Sequence, residues 1–389
     1  MPQSKTYRIE VGDKVFSSTG EGESLTPERL MLHVHVDLVG RAELTLTKNS
    51  HKHWDKFKVG DPIGIRVPMF DEEDLSKPVT TPWGSATGQN TFQGVITGLR
   101  FSFSETGKYL MTVIAHDALH FLRATRTTRN WHKSKDSGQG GNQKEVNDAA
   151  AIKDVLGDTT RSHSKGTLEL EGTLQANVGT TPREHIFQRA ESDLTFLRRL
   201  AARNGALILA RPKSDKLSFG VVDLVKPVFQ DESKAKVIRE RPVLEQLDFT
   251  ISPMGVPGSL SVNAQDGEGK YELISASVEN IYDDRGALRS LWHGPSSLDN
   301  LQILTNDARP LVKAELERMS RNMLRGRAVL SHGFVWPTTT LRFAAPDNDL
   351  PEFQVGVWVV GCRYEFVSNV FSGQTEISFC ANASAKEGT

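Results

Sequence analysis

Two segments near opposite ends of the chain carry the same strand signature. Gly98-Leu99-Arg100-Phe101-Ser102-Phe103 and Gly361-Cys362-Arg363-Tyr364-Glu365-Phe366 both read Gly-x-Arg-aromatic-x-Phe. Apolar and polar residues alternate in each, the period of a strand with one buried face. Each is followed by a polar turn containing glycine and then by a second strand, with Thr112-Val113-Ile114-Ala115 in one and Ser378-Phe379-Cys380-Ala381 in the other. A shorter echo pairs Phe57-Lys58-Val59-Gly60 with Phe353-Gln354-Val355-Gly356. Amphipathic hairpins resemble one another by physics alone, so two readings stand: two unrelated hairpins, or two related small β-barrels, one at each end. In the second case three copies in a ring would present six similar barrels, and a threefold object could meet a sixfold one. Head-to-tail contacts close such rings.

The rest of the chain fits around these ends. A length of 389 residues is that of two or three domains. Alternation predicts strands at Leu32 to Leu38, at Ile63, Ile65 and Val67, and at Tyr109 to Ala115 after a turn at 105–108. A polar loop rich in Pro and Gly occupies about 71–92, and residues 133–145, with almost no apolar content, read as an exposed linker. Helical signals follow. Asn147-Asp148 can cap a helix that stops at Gly157, and Thr181-Pro182-Arg183-Glu184 reads as a capping box with Pro at the first helical position. Ser192 can cap another helix, which puts Leu194, Leu197, Leu200 and Ala201 on one face and ends at Gly205. Leu207 to Leu209 and Leu217 to Phe219 read as short strands. A longer helix spans about 308–324, with Pro310 in its first turn, and strands return at Thr340 to Phe343, Val355 to Phe366 and Thr375 to Ala381. The expected architecture is α+β, mainly β: two related small barrels, 1–125 and 233–389, around a linker and a helix-containing domain at 126–232.

Charge and composition exclude several functions. Lys plus Arg is 47 and Asp plus Glu is 48, a net charge of −1, so the chain lacks the basic excess of a nucleic-acid coat. No apolar run approaches the ~20 residues that span a bilayer. The first residues lack the apolar core of a secretory signal. Two cysteines, Cys362 and Cys380, build no disulfide framework and read as reduced, buried residues of a protein made in the cytoplasm.

Candidate chemistry is sparse. His116-Asp117-Ala118-Leu119-His120 resembles the zinc motif His-Glu-x-x-His with Asp for Glu, but that motif needs a helix and here the first His ends a strand. The expectation is a strand end leading into a turn or short helix, with Leu119, Phe121 and Leu122 packed inward. His33 with His35, and His51 with His53, have metal-ligand spacing without an evident third ligand, so solvated or interface histidines are expected. No Gly-x-Ser-x-Gly elbow, phosphate loop or dinucleotide fingerprint occurs. The Arg-rich stretches 183–203 and 318–327 read as solvated helix faces, with an acidic partner as the other option. No catalytic residue, metal ligand or cofactor is expected.

The segment 188–205 is the most specific. Glu191, Ser192, Asp193, Phe196, Leu197, Arg199, Leu200, Ala201 and Gly205 match the pattern Glu-Ser-Asp-x-x-Phe-Leu-x-Arg-Leu-Ala-x-x-x-Gly. That pattern resembles the signature of phage tail baseplate hub proteins, the late control protein D family and the hub portion of VgrG-type spike proteins. Phe92-Gln93-Gly94-Val95-Ile96-Thr97 looks like the end of that family's first barrel, and Ala314 to Gly326 with the final hairpin like its second. The resemblance implies a non-enzymatic homotrimer whose two barrels per chain make a pseudo-sixfold torus. It implies a tail tube protein on one face, a spike on the other and baseplate wedge proteins around the ring. Because the sequence stops at Thr389, without the oligonucleotide-binding fold and needle that VgrG fuses to its hub, a separate spike protein is expected. The location implied is a virion tail baseplate or injection particle assembled in the bacterial cytoplasm. Gly98, Arg100, Phe101 and Phe103, and Gly361, Arg363, Tyr364 and Phe366, would belong to the ring-forming strands. A metal-dependent or cell-wall hydrolase and a carbohydrate-binding tail module are the alternatives. Six Trp and five Tyr form no clustered aromatic platform in the sequence, which weighs against the last.

Overall fold

A computed structural model describes residues 7–18, 23–69, 90–103, 107–132, 146–157, 162–163, 166–167, 172–174, 178–180, 182–183, 185–212, 220–226, 236–239, 244–251, 257–266, 268–278, 295–297, 303–321, 324–331, 333–344, 357–368, 372–381 and 385–387. The linker at 133–145, most of the loop at 71–92, the strand expected at Leu217 to Phe219 and the segment Phe353 to Gly356 lie outside the described residues.

The chain is mainly β. The first part holds β1 (Arg8–Val11), β2 (Lys14–Ser17), β3 (Arg29–His35), β4 (Arg41–Thr47), β5 (Pro62–Arg66), β6 (Phe92–Phe103) and β7 (Tyr109–His116). The middle holds α1 (Leu119–Ala124), β8 (Arg126–His132), α2 (Asp148–Leu156), β9 (His185–Ser192), α3 (Asp193–Arg203), β10 (Leu207–Arg211) and β11 (Val221–Val225). The last part holds β12 (Lys236–Arg239), β13 (Leu244–Ile251), β14 (Ser259–Gln265), β15 (Tyr271–Val278), α4 (Thr305–Ser320), β16 (Leu324–Leu330), β17 (Thr340–Ala344), β18 (Val357–Val367) and β19 (Ser372–Ala381).

The two ends of the chain share a strand order. In the first, neighbours run β3-β4-β7-β6-β5-β1; in the last, β13-β16-β19-β18-β17-β12. Each element stands at the same place in sequence order. The first five strands of each set are antiparallel throughout. The sixth differs: β1 is antiparallel to β5, while β12 is parallel to β17. The bulges agree as well. β6 shifts register against β7 between Ile96 and Gly98, and β18 shifts against β19 between Val359 and Gly361. The shared glycines therefore follow equivalent bulges, and coincidence between two hairpins does not account for five strands and a bulge in common.

The described pairings do not close either set into a separate barrel. They form one sheet, because the second half of β18 pairs antiparallel with β3, from Gly361 opposite His35 to Val367 opposite Arg29. One hydrophobic core underlies both ends, with Leu30, Leu32, Leu44, Ile65, Val113, Cys362, Tyr364, Ile377 and Phe379 among its members. A second core serves the middle part, and a third, small one packs Ala308, Val312 and Leu316 of α4 on β14 and β15.

Several sequence expectations need correction. No helix follows the expected capping box among the described residues: Pro182–Arg183 is a short strand and His185–Ser192 a longer one. The reason is tertiary, since β9 pairs with β8 and buries Ile186 and Gln188 in a period of two. The long helix starts at Thr305 and ends at Ser320, so Pro310 sits in its interior and Leu324 opens β16. Burial of residues at a four-residue spacing, 308, 312 and 316, holds the helix despite the missing proline N–H. The strand expected to Leu38 ends at His35, and Asp37 takes a left-handed φ of 59°. His53 is buried against the edge of the Phe16 ring, 3.0 Å from Glu23, rather than solvated.

Candidate functional site

Two places concentrate the residues singled out by the sequence: the signature helix and the strand joint. In the helix, Ser192 is the N-cap, its hydroxyl accepting from Thr195 N–H at 3.1 Å. Phe196, Leu197 and Leu200 are fully buried. The Phe196 ring stacks on Trp131 of β8 at 5.3 Å, and the Arg199 guanidinium lies over the Phe196 ring at 5.2 Å. Arg199 also donates to Glu191 at 2.6 Å and to the Phe187 carbonyl at 2.7 Å. Gly205 leaves the helix with φ of +66°, and its carbonyl accepts from Arg321 at 2.9 Å, tying this turn to the end of α4. Glycine is needed there because the left-handed region is strained for other residues.

Asp193 explains the third letter of the signature. It is fully buried, and one of its oxygens accepts from Gln188 at 2.7 Å, Arg129 at 2.8 Å and Thr127 at 3.1 Å. These partners lie on β8 and β9, so the carboxylate pins the helix start to that strand pair. Asp148 does the same at the other end. It is fully buried, takes two hydrogen bonds from Arg203 and one from Asn204 at 2.7 Å, and lies 3.5 Å from Arg183. The charged members of the signature, Glu191, Asp193 and Arg199, each have a charged or polar protein partner, which gives them a structural role.

The sequence His116-Asp117-Ala118-Leu119-His120 does not form a zinc-motif helix. His116 ends β7, α1 begins at Leu119, and the two imidazoles stack at 5.0 Å. Burial and the neighbouring His120, Arg123 and Arg41 lower the His116 pKa to about 4. Among the described residues no group of three or more His, Cys, Asp or Glu is placed to hold a metal ion. The Asp117 carboxylate accepts from backbone N–H groups, Gly40 at 2.7 Å and Leu119 at 3.0 Å. Burial raises its pKa to about 7 against the pull of those two donors. A folded pKa above the unfolded value of about 3.9 means that this group's contribution to stability is full below pH 4 and fades as pH rises toward 7. Denaturation midpoints measured from pH 4 to 8 should therefore fall more steeply in the native chain than in Asp117→Asn. Equal slopes would show that the carboxyl titrates normally.

The strand joint brings together one copy of the repeated signature and leaves the other open. On β18, Tyr364 and Phe366 are 5% and 6% exposed, covered by Leu32, Leu30 and Tyr7, whose ring lies 5.8 Å from Phe366. Val36 N–H bonds to the carbonyl of Val360, the bulged residue, at 2.9 Å. Arg29 pairs with Glu365 at 2.8 Å across the joint. Gly361 is required here, because a Cβ would run into the His35 ring. On β6 the equivalent Phe101 and Phe103 are 63% and 62% exposed, and a Cβ on Gly98 would meet nothing within 4 Å. Arg100 is exposed, as is Arg363.

No protein-family model and no curated protein matches the chain by sequence. Solved structures do match. A tail protein from Neisseria meningitidis MC58 superposes with a TM-score of 0.62 at 12% identity, covering 97% of each chain. A 43 kDa tail protein of prophage MuSo2 from Shewanella oneidensis gives 0.62 at 12% identity, covering 97% of this chain and 98% of that one. The E. coli c3393 protein, a type VI secretion component described as similar to the T4 tail proteins gp27 and gp5, gives 0.56 at 11% identity over 98% of this chain and 79% of its own. The fold is that of phage tail proteins.

Within this tail-protein fold, sequence reasoning missed Arg129, Trp131 and Asp148 as organising residues, and β13 as an edge. Arg126 to His132 is too polar to announce a strand. The one available signal for Asp148 was a charged residue directly after an N-cap, a position that favours acids for local reasons alone. Among the described residues, no helix of the tail-protein fold is long and apolar enough to cross a membrane.

Proposed function

We propose that this chain is a structural, non-enzymatic hub of a contractile phage tail or related injection particle. Three copies form a ring of six similar β-units, each chain supplying one from 1–125 and one from 233–389. The ring joins a hexameric tail tube to a central spike carried by a separate protein, with baseplate wedge proteins around it. The middle part, 126–232, braces neighbouring units. Assembly takes place in the bacterial cytoplasm.

The observation that carries this reading is the shared order of strands and bulge in the two ends of one chain. A chain with two similar units is suited to meet a sixfold partner with three copies. Tail-protein folds at TM-scores of 0.62 over 97% of the chain support the same reading. Partner choice then rests on shape and local charge pairs, since a net charge of −1 per chain offers little gross attraction.

The test is the mass of the purified protein in solution by light scattering over a range of concentrations. A species of three times 43.0 kDa is expected. A chain that stays monomeric at high concentration and binds neither tube nor spike protein overturns the reading.

A further inference from the structure

The equivalence of the two ends assigns a partner to each unpaired strand edge. Following the pairings across the sheet, Gly98 stands opposite Ile114, Ile114 opposite Glu43 and Glu43 opposite Met31. In the other end, Gly361 stands opposite Ser378, Ser378 opposite Arg327 and Arg327 opposite Asp248. Met31 and Asp248 are therefore equivalent, as are Leu30 and Leu247, and Leu32 and Phe249. In the joint within the chain, Met31 lies opposite Glu365, Leu32 opposite Tyr364 and Leu30 opposite Phe366. The counterpart of that joint is not formed among the described residues of one chain. Among the described residues β13 is paired only with β16, and residues 98–103 of β6 only with β7.

We propose that residues 99–103 of one copy pair antiparallel with β13 of a second copy of this chain, with Arg100 opposite Thr250, Phe101 opposite Phe249, Ser102 opposite Asp248 and Phe103 opposite Leu247. This rests on the ring reading above and states which edges close it. Three observations support it. Phe101, Phe103 and Tyr109 form an exposed aromatic patch, with Phe103 and Tyr109 4.8 Å apart and Phe101 5.8 Å from Trp54. Their β18 counterparts of Phe101 and Phe103 are core residues, so the patch is core that lacks its cover. Leu247 and Phe249 are only partly buried, whereas Leu30 and Leu32 are fully buried beneath the existing joint. Charge agrees, because Arg100 would lie diagonally across from Asp248, within reach of a long side chain. The contact is head-to-tail, with β6 donated on one side of each chain and β13 on the other, the arrangement that closes rings.

Cysteine cross-linking tests this in the full chain. Directly opposed residues of an antiparallel pair have Cβ atoms about 4.5–5.5 Å apart, near disulfide range. Cys362 and Cys380 are buried, so they do not compete. Oxidation of Ser102→Cys/Asp248→Cys with copper phenanthroline should give covalent dimers and trimers and nothing larger. Arg100→Cys/Gln246→Cys sets the thiols four residues apart along the joint, about 13 Å, and should give none. Light scattering of the same samples separates the two claims. A trimer that cross-links only through the second pair, or through neither, overturns the joint and leaves the ring. A ladder that runs past three keeps the joint and overturns the closed ring. A protein that is monomeric at high concentration overturns both. As a second variant, Phe101→Asp/Phe103→Asp should lower trimer affinity at least tenfold while leaving the monomer's melting unchanged. A variant that stays fully trimeric overturns the joint.

Discussion

Asp193→Ala is expected to lower the unfolding free energy by about 3–5 kcal/mol, the range for removing one partner of a buried charge pair. The carboxylate is fully buried and one oxygen gathers Arg129, Gln188 and Thr127, all 2.7–3.1 Å away. Removing it takes away a buried carboxylate 2.8 Å from the Arg129 guanidinium, which is itself only 16% exposed. Chemical denaturation of the purified chain measures the effect. Asp193→Asn keeps an acceptor oxygen and loses the charge, so its loss should be smaller than that of Ala. A change below ~1 kcal/mol for Ala, the ordinary worth of one neutral hydrogen bond, would mean that the oxygen does not organise this corner.

The second large effect is at the far end of the same helix. Asp148→Ala should also cost about 3–5 kcal/mol, because it takes a buried carboxylate away from two arginines. Arg183 and Arg203 have side chains 3% and 22% exposed, and both face Asp148. Arg203→Met should cost less than Asp148→Ala, since the carboxylate would keep Asn204 and Arg183 as partners. The reverse order in denaturation midpoints would place the organising charge on the arginine. Taken together, the two carboxylates clamp α3 at both ends. Asp193 sits at its first position, where a negative charge also favours the exposed N–H groups, and Arg203 sits at its last, where a positive charge favours the carbonyls. Within the signature, Ser192, Asp193 and Arg199 thus fasten one helix to the strands beside it.

Much of this was legible in the residues. Local signals placed the caps of α2 and α3, because a cap needs only a side chain and the backbone three residues on. Alternation located β3, β6, β7 and β18, because period two is enforced by a sheet with one buried face. Signals failed where a distant segment overrode the local preference. Thr181 to Glu184 has the letters of a capping box, yet the neighbouring β9 answers to β8, more than 50 residues earlier in sequence. The burial of His53 was equally unreadable, because it depends on Phe16. In the candidate site, the letters of the helix signature were visible but the partners of Asp193 and Asp148 were not.

The repeated Gly-x-Arg-aromatic-x-Phe marks the same divide. The sequence by itself determined that two strands of like pattern, each led by a glycine, stand at the two ends of the chain. Local backbone geometry and side-chain alternation carry that much. Only the tertiary structure decided that one copy is closed and the other open. Tyr364 and Phe366 are covered because β3 lies beside them, while among the described residues no strand lies beside Phe101 and Phe103 in the same way. Burial is a property of what a distant strand places alongside, and a one-dimensional pattern does not record its neighbours.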